Sequence, residues 1–295
     1  MKRLKILLAI LLVAAGTPAP AKPSASADYA VGPQYDTTHV YVAPADFDPL
    51  VASLIATFGG TTSKQGVFQV TPTPSQTMSQ LVLTPAGSIS VFGFKTPIPY
   101  PFGAERTGYL VSDLDQAAAA AKGAGATRLV EAFPDPIGRD VLVQWPGGVA
   151  MQLYWHTKKP SYAPLATVPE NRIYLTADAA DAFVAAWKTF SHGRIVSDTA
   201  APGDEIGKPG TTYRRIRLTS GYGRMSIAVS DGALPWPYGR DLTGYEVTDL
   251  DATLARATAA GVTIVVPAHA SADRRAAIVQ FPGGYIAEIH AIVAP

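Results

Sequence analysis

A run of apolar residues at helical spacing follows the first β-rich segment of the chain, THVYVA (38–43). Asp46 is placed to cap this helix and Gly59 to end it. The strand-like runs GVFQVT, QLVLT and SISVFGF come next. The apolar positions that share one helical face are Phe47, Leu50, Val51, Leu54, Ile55 and Phe58. The stretch therefore predicts the order β-α-β-β-β.

The same order recurs three times further along the chain. TGYLV (107–111) opens a second unit, whose helix begins near Asp113 and ends at Gly125. RIYLT (172–176) and TGYEV (243–247) open the third and fourth units. Paired carboxylates such as Asp249 and Asp251 stand at helix starts, where capping accounts for them. The pattern predicts an α+β fold of four βαβββ units.

An internal repeat groups these units in pairs. TGYLVSDLDQAAAAAKGAGAT (107–127) matches TGYEVTDLDATLARATAAGVT (243–263), and VQWPGGVAMQL (143–153) matches VQFPGGYIAEI (279–289). Both matches have an offset of 136 residues, whereas HVYV and RIYL are 133 apart. We therefore predict two homologous domains, 36–157 and 170–295, which we call the first and second repeats. The proline-rich segment 158–169 would link them.

The N-terminus has the pattern of an export signal. Lys2, Arg3 and Lys5 precede the apolar run ILLAILLVAAG, and small residues follow it. An anchor helix fits less well, because the apolar run is short and prolines break it. We expect residues 1–27 to be a signal peptide and the mature protein to be periplasmic or secreted.

Composition narrows the chemistry. The 295 residues include no cysteine, which excludes disulfides, thiolate nucleophiles and cysteine-ligated zinc. Net charge is +1 and no long run of like charge appears, so we expect no nucleic-acid partner and no membrane contact after signal removal. The oligomeric state is left open.

Two motifs resemble those of the vicinal oxygen chelate superfamily, which includes glyoxalase I, bleomycin-resistance proteins and extradiol dioxygenases. V-x-D-L-D opens a helix in each repeat, and F/W-P-G-G-x-x-x-E/Q opens each last strand. The usual signature of that strand, D-P-x-G-x-x-x-E, has Trp145 or Phe281 in place of its Asp. The resemblance implies two tandem half-open β-barrel domains of the glyoxalase/dioxygenase type, each around a pocket.

The resemblance also implies a divalent metal such as Fe, Zn, Ni or Mn, held on the first and last strands of paired units. The matching positions in the first repeat are His39, Ser90, Arg106 and Gln152. Those in the second repeat are Arg172, Ser226, Leu242 and Glu288. Arginine offers a metal no lone pair. Neither set is complete, and the remaining candidate ligands are His39, Gln152 and Glu288.

Glu288 and His290 lie two apart on the last strand and so share one face. They could form a metal ligand with a neighbouring acid–base group. Alternatively, Glu288 pairs with Arg172 across the pocket and His290 lines the wall, which we favour because an unpaired buried carboxylate is costly.

His39 could have one of three roles: a metal ligand, a general base, or a histidine of the core. Gln152 and Tyr154 would complete a polar patch with it, and Arg106 would hold an anionic group of a substrate there. His39, Arg106 and Tyr154 are therefore the candidate catalytic residues, with Gln152 as a ligand-binding group.

Two proline-rich loops, 95–106 and 232–241, carry aromatic residues. They form either a lid over a planar ligand or the packing between units. The candidate ligand contacts in these loops are Tyr100, Phe102, Trp236 and Tyr238.

These observations predict an exported small-molecule-binding protein with degenerate metal sites. The alternative is a divalent-metal-dependent lyase, isomerase or dioxygenase acting on an oxygen-rich molecule in the first repeat. A non-catalytic structural or interaction protein is the second alternative.

Overall fold

The structure is a computed structural model that describes residues 34–271 and 273–293. The predicted signal peptide lies outside these residues. Within the described ranges, no helix has the length and apolar character needed to span a membrane.

Each repeat contains two units of the βαβββ order, which confirms the α+β prediction. In the first unit, the first of the three strands after the helix is divided into two short strands, Thr61–Thr62 and Gly66–Phe68. The elements of the first repeat are β1 (Thr38–Tyr41), α1 (Phe47–Phe58), β2 (Thr61–Thr62), β3 (Gly66–Phe68), β4 (Thr77–Thr84), β5 (Gly87–Phe94), β6 (Gly108–Leu110), α2 (Leu114–Gly123), β7 (Thr127–Pro134), β8 (Gly138–Trp145) and β9 (Val149–His156). Those of the second are β10 (Glu170–Thr176), α3 (Ala177–Ser191), β11 (Arg194–Pro202), β12 (Thr212–Ser220), β13 (Gly223–Ser230), β14 (Leu242–Glu246), α4 (Leu250–Ala259), β15 (Thr263–Ser271), β16 (Arg274–Gln280) and β17 (Ile286–Ile292). Short 3-10 helices lie at Pro44–Asp46, Gly203–Ile206 and Pro282–Gly284.

The strands of the second repeat form one sheet in the order β11-β12-β13-β10-β14-β17-β16-β15. Its centre joins the two units, because β10 pairs antiparallel with β14 while β10–β13 and β14–β17 are parallel. In the first repeat the same join consists of the bridge between Thr38 and Thr107 and a 3.0 Å bond from His39 N to Arg106 O. Each repeat thus presents one concave sheet face, which is the half-open barrel.

Helix starts follow the predicted chemistry in two of the three cases tested. Asp113 accepts from the Gln116 amide at 3.0 Å, and Asp249 accepts from the Ala252 amide at 2.9 Å. The expected Asp46 cap is wrong in detail: Asp46 stands at the start of α1 but its side chain makes no capping bond. The 3-10 turn Pro44–Asp46 leads directly into α1, so Asp46 has helical rather than extended backbone angles.

The hydrophobic cores cross the boundary between the repeats. One core unites α1 with α4, and the other unites α2 with α3. In the second core, the rings of Trp145 and Trp187 meet edge-to-face at 5.3 Å, and Tyr109 lies 5.6 Å from Trp187. The helices therefore lie between the two barrels, and each repeat covers the apolar face of the other.

Candidate ligand-binding site

The barrel of the first repeat encloses a cavity of about 260 Å³. Strands β1, β4, β5, β8 and β9 supply most of its wall. His39 and Ser90 are neighbours across β1 and β5, and Asp140 and Tyr154 are neighbours across β8 and β9. All four side chains line the cavity.

His39 lies deep in this wall, with 2% of its surface exposed. Its ring meets Phe92 edge-to-face at 5.7 Å, and its Nδ1 has no hydrogen-bond partner. Burial lowers the pKa of His39 to about 4, against the opposing charge of Asp36, so the imidazole is neutral at pH 7. A Cβ at Gly108 would lie 2.5 Å from Nε2, which means that the ring needs a glycine beside it.

Asp36, just before β1, is held by the hydroxyl groups of three residues. Ser90 Oγ donates to Oδ2 at 2.8 Å, and Tyr154 OH donates to the Asp36 carbonyl at 2.7 Å. Tyr162 OH lies 3.4 Å from Oδ1. These bonds fix the carboxylate before any ligand arrives.

Asp140, on β8, is 5% exposed and accepts a hydrogen bond from Gln152. Burial raises the pKa of Asp140 well above its ordinary value, and the charges of Asp135 and Asp36 raise it further. Sequence reasoning missed both Asp36 and Asp140. The available signal for Asp140 was a carboxylate directly before the apolar run VLV of the strand.

The site residues predicted in the first repeat separate into two cavities. His39, Gln152, Tyr154 and Phe102 share the first barrel. Arg106 does not join them: it lines a cavity of about 490 Å³ between the repeats, together with Tyr41, Arg240, Asp241 and Tyr285. Arg106 precedes β6, which begins at Gly108, so strand alternation does not fix the direction of its side chain.

The aromatic loops contribute less to the site than a lid would. Tyr100 and Trp236 are 89% and 59% exposed, and Tyr238 packs beside the buried side chains of Leu242, Ile278 and Ile286. Only Phe102 of these four lines the first barrel, where it meets Phe133 edge-to-face at 5.7 Å. The other three rings lie outside the lining of this cavity.

The barrel of the second repeat is filled by ion pairs and retains a cavity of only about 10 Å³. Arg172 contacts Glu288, which is the pair that we favoured from the sequence. Arg274 binds Glu170 at 3.0 and 3.1 Å, and Arg215 binds Glu205 at 2.6 Å. The remaining space suffices for about one water molecule.

His290 is fully buried beside this network. Its Nδ1 lies 3.1 Å from Glu288 Oε1, although the orientation is not that of a hydrogen bond. Burial lowers the pKa of His290 to about 3, and the positive charge of Arg274 contributes in the same direction. His290 is therefore neutral and packs against the network as part of the wall.

Matched strand positions explain why one barrel is open and the other closed. Arg215 on β12 faces Ala228 in the same register in which Ser79 on β4 faces Phe92. Arg274 likewise occupies the place of Gly138. Four arginines line the second barrel, and each has a smaller or neutral counterpart in the first repeat. Arg172 corresponds to His39, Arg215 to Ser79, Arg217 to Leu81, and Arg274 to Gly138.

The donor groups do not fit the divalent metal that the resemblance implied. Glu288 faces two guanidinium groups, which occupy the cationic role themselves. In the first barrel, the positions matched to the other metal ligands hold the hydroxyl group of Ser90, the guanidinium group of Arg106 and the neutral amide of Gln152. Among the residues described, no three His, Asp or Glu side chains are grouped so as to hold a metal ion.

Comparison with solved structures shows the fold class. The chain is similar to a mutant of 4-hydroxymandelate synthase from Streptomyces coelicolor, with a TM-score of 0.60 and 10% identity over 88% of this chain and 93% of that one. It is also similar to the 2,3-dioxygenase LapB from Pseudomonas sp. KL28, with a TM-score of 0.52 and 12% identity over 90% and 94% of the two chains. A catechol 2,3-dioxygenase matches with a TM-score of 0.50 and 14% identity over 90% of each chain. No protein-family model and no curated protein sequence matches the chain.

These neighbours all have vicinal oxygen chelate folds. The chain therefore has the fold of the vicinal oxygen chelate superfamily, as the two motifs predicted. At this level of identity the likeness defines the architecture, and the chemistry has to be argued from the side chains of this chain.

Proposed function

We propose that the protein binds a small organic molecule in the first barrel and that the second barrel serves as a structural unit. The observation that carries the proposal is the difference between the two interiors, about 260 Å³ against about 10 Å³. Ligand sites are typically concave and mostly apolar, with a few converging polar groups. The first barrel has this character and the second does not.

The wall of the first barrel combines rigid apolar surfaces with fixed polar groups. Phe68, Phe92 and Phe102 supply aromatic surface. Asp36 is held by hydroxyl groups, and the neutral His39 keeps a free ring nitrogen. Such preorganised groups lower the entropic cost of ordering a site around its ligand.

The signal-like N-terminus supports a location outside the cytoplasm. On this proposal the protein is periplasmic or secreted and captures its ligand there. An exported binding protein needs no reaction to be useful, since sequestering or carrying the molecule is sufficient.

A screen of small molecules by thermal shift, followed by calorimetry, tests the proposal. Ser79, a half-buried residue on β4, lines the cavity, so Ser79→Trp fills it. Ser197 is a half-buried residue of β11 that does not line the cavity of the first barrel, so Ser197→Trp is the matched control. We expect one-to-one binding that is lost in Ser79→Trp and kept in Ser197→Trp. Binding that survives Ser79→Trp would contradict the proposal.

Metal-dependent turnover, by a dioxygenase, lyase or isomerase, is the competing function. The fold is shared with dioxygenases, but the donor groups of both barrels do not fit a three-ligand metal site. Elemental analysis of the purified protein after incubation with Fe, Zn, Ni or Mn distinguishes the two. Our proposal expects ligand binding without metal, whereas stoichiometric metal that depends on His39 would favour the enzyme.

A further inference from the structure

The cavity of the first barrel has an excess of negative groups. The titratable side chains in its lining, apart from tyrosines, are Asp36, Asp135, Asp140, Lys64, His39 and His156. Lys64 is exposed at the rim, whereas Asp36 and Asp140 are buried. His156, the other histidine of the lining, acts on the half-buried Asp135, and His39 is neutral, so no lysine or arginine of the described lining pairs with the buried carboxyl groups.

The buried acids of the two barrels differ in their partners. In the second barrel, Glu170 pairs with Arg274 and Glu205 with Arg215. In the described part of the first repeat, no lysine or arginine forms an ion pair with Asp36 or Asp140. The matched positions that carry arginine in one barrel carry serine, leucine, histidine and glycine in the other. Burying carboxyl groups without a cation is costly, unless a ligand supplies the cation.

An independent observation points in the same direction. The Nδ1 atom of His39 is buried and unpartnered in the wall of this cavity. A neutral imidazole nitrogen without a hydrogen can accept a bond from an N–H donor. Phe92, Phe102 and Tyr154 add aromatic faces, which attract cations as well as apolar rings.

From this geometry we propose that the ligand of the first barrel is a small organic cation, an ammonium group attached to an apolar body. The inference rests on the proposed function, since it assigns a chemical class to the molecule bound there. The ammonium group meets the carboxyl groups of Asp140 and Asp36, with His39 as a further acceptor. The apolar body lies against the phenylalanine side of the cavity.

Proton release accompanies binding on this account. Because burial raises the pKa of Asp140, its carboxyl group holds a proton more readily than an exposed aspartate does. The groups whose charges act on it are Asp36, Asp135 and Glu105, with Gln152 as a hydrogen-bond donor. An ammonium group beside Asp140 favours the carboxylate, so the proton leaves to solvent as the cation enters.

Calorimetry with three compounds of one size tests the charge preference. Phenethylamine is cationic, phenethyl alcohol is neutral and hydrocinnamate is anionic. We expect the amine to bind about tenfold more tightly than the alcohol, the size of one charge-assisted hydrogen bond, and hydrocinnamate to bind least. Titrations in two buffers of different ionisation enthalpy should show proton release with the amine alone.

Two aspartate variants locate the effect. Asp140→Asn keeps the shape of the side chain and removes its charge, so the amine should lose about tenfold in affinity while the alcohol does not. Asp115→Asn is the matched control, because Asp115 is exposed and paired with Arg139 on the outer surface. We expect it to leave amine binding unchanged.

The outcomes separate the two proposals. If phenethyl alcohol or hydrocinnamate binds as tightly as the amine, the proposal of a cationic ligand is wrong, and the proposed binding function stands. Failure of all three compounds to bind would contradict the organic cation, whereas the binding function is contradicted only if the small-molecule screen finds no ligand whose binding is lost in Ser79→Trp. Equal losses in Asp140→Asn and Asp115→Asn would assign the preference to net charge and overturn the site.

Discussion

At the residue scale, a few inward positions decide what each barrel does. Arg215 and Arg274 reach into the second barrel, where Ser79 and Gly138 leave the first one open. Each of these arginines is paired with an acidic residue, since a buried guanidinium group needs an anionic partner. Opening or closing a barrel of this fold thus requires changes at matched pairs of positions rather than at single ones.

Removing one acid from the filled barrel should be costly. Glu288→Ala leaves Arg172 with no partner and Arg274 with only part of its set, so we expect a loss of about 3–5 kcal/mol in the free energy of unfolding, measured in urea. Asp251→Asn removes an exposed partner of Arg275 and should leave stability unchanged. Similar small effects of both variants would contradict a stabilising role for the network.

The buried histidine of the open barrel should make the protein sensitive to acid. Because the pKa of His39 falls from 6.5 to about 4 on folding, the unfolded chain binds the proton first as the pH falls below 6.5. The resulting loss in the free energy of unfolding is complete below pH 4 and amounts to about 2 kcal/mol at pH 5.

Comparison of the wild type with His39→Gln isolates the contribution of His39 to the pH dependence of stability. Burial raises the pKa of Glu105 to about 7. Its contribution to the free energy of unfolding is therefore greatest below its ordinary pKa and is lost as the pH rises through 7. This pH dependence is opposite in sign to that of His39. The stability difference between wild type and His39→Gln, followed by urea unfolding from pH 8 to pH 5, cancels such shared terms. A pH-independent difference would show that His39 is not buried in its neutral form.

At the element scale, the repeat and the hydrophobic period were sufficient to predict four βαβββ units and two of the helix starts. They did not reveal the contacts of Asp36, whose bond to Tyr154 spans 118 residues of sequence. They also did not give the direction of Arg106, which lies just outside a strand. Period and capping are local signals, whereas these contacts depend on how strands assemble.

The short strand β6 tests how closely the elements of the open barrel approach each other. Gly108→Ala would place a methyl group 2.5 Å from the His39 ring, so we expect the ring to move, with a loss of about 1–3 kcal/mol and weaker ligand binding. Gly123→Ala, in a helix with open space around it, should be stabilising by about 0.5–1 kcal/mol. Denaturation and calorimetry measure both effects, and a silent Gly108→Ala would contradict the packing.

At the scale of the whole molecule, the two repeats share their cores. Helix α1 packs with α4 and α2 with α3, so neither repeat has a complete core of its own. The predicted domain boundaries at 157 and 170 describe the repeat in sequence, and the cooperative unit is larger than either half.

Trp187 reports on this sharing because it lies on α3 and packs against Trp145 and Tyr109 of the first repeat. We expect Trp187→Ala to lower the free energy of unfolding by about 3–5 kcal/mol. Both repeats should still unfold in a single transition, followed by circular dichroism and by calorimetric heating. Two separate transitions, with only the second repeat destabilised, would contradict a shared core.

The most direct test of the account is a crystal structure of the protein soaked in turn with phenethylamine, phenethyl alcohol and hydrocinnamate. We expect the amine in the first barrel beside Asp140 and His39, with the ion pairs of the second barrel undisturbed. A ligand inside the second barrel, or one bound only in the cavity between the repeats, would contradict it.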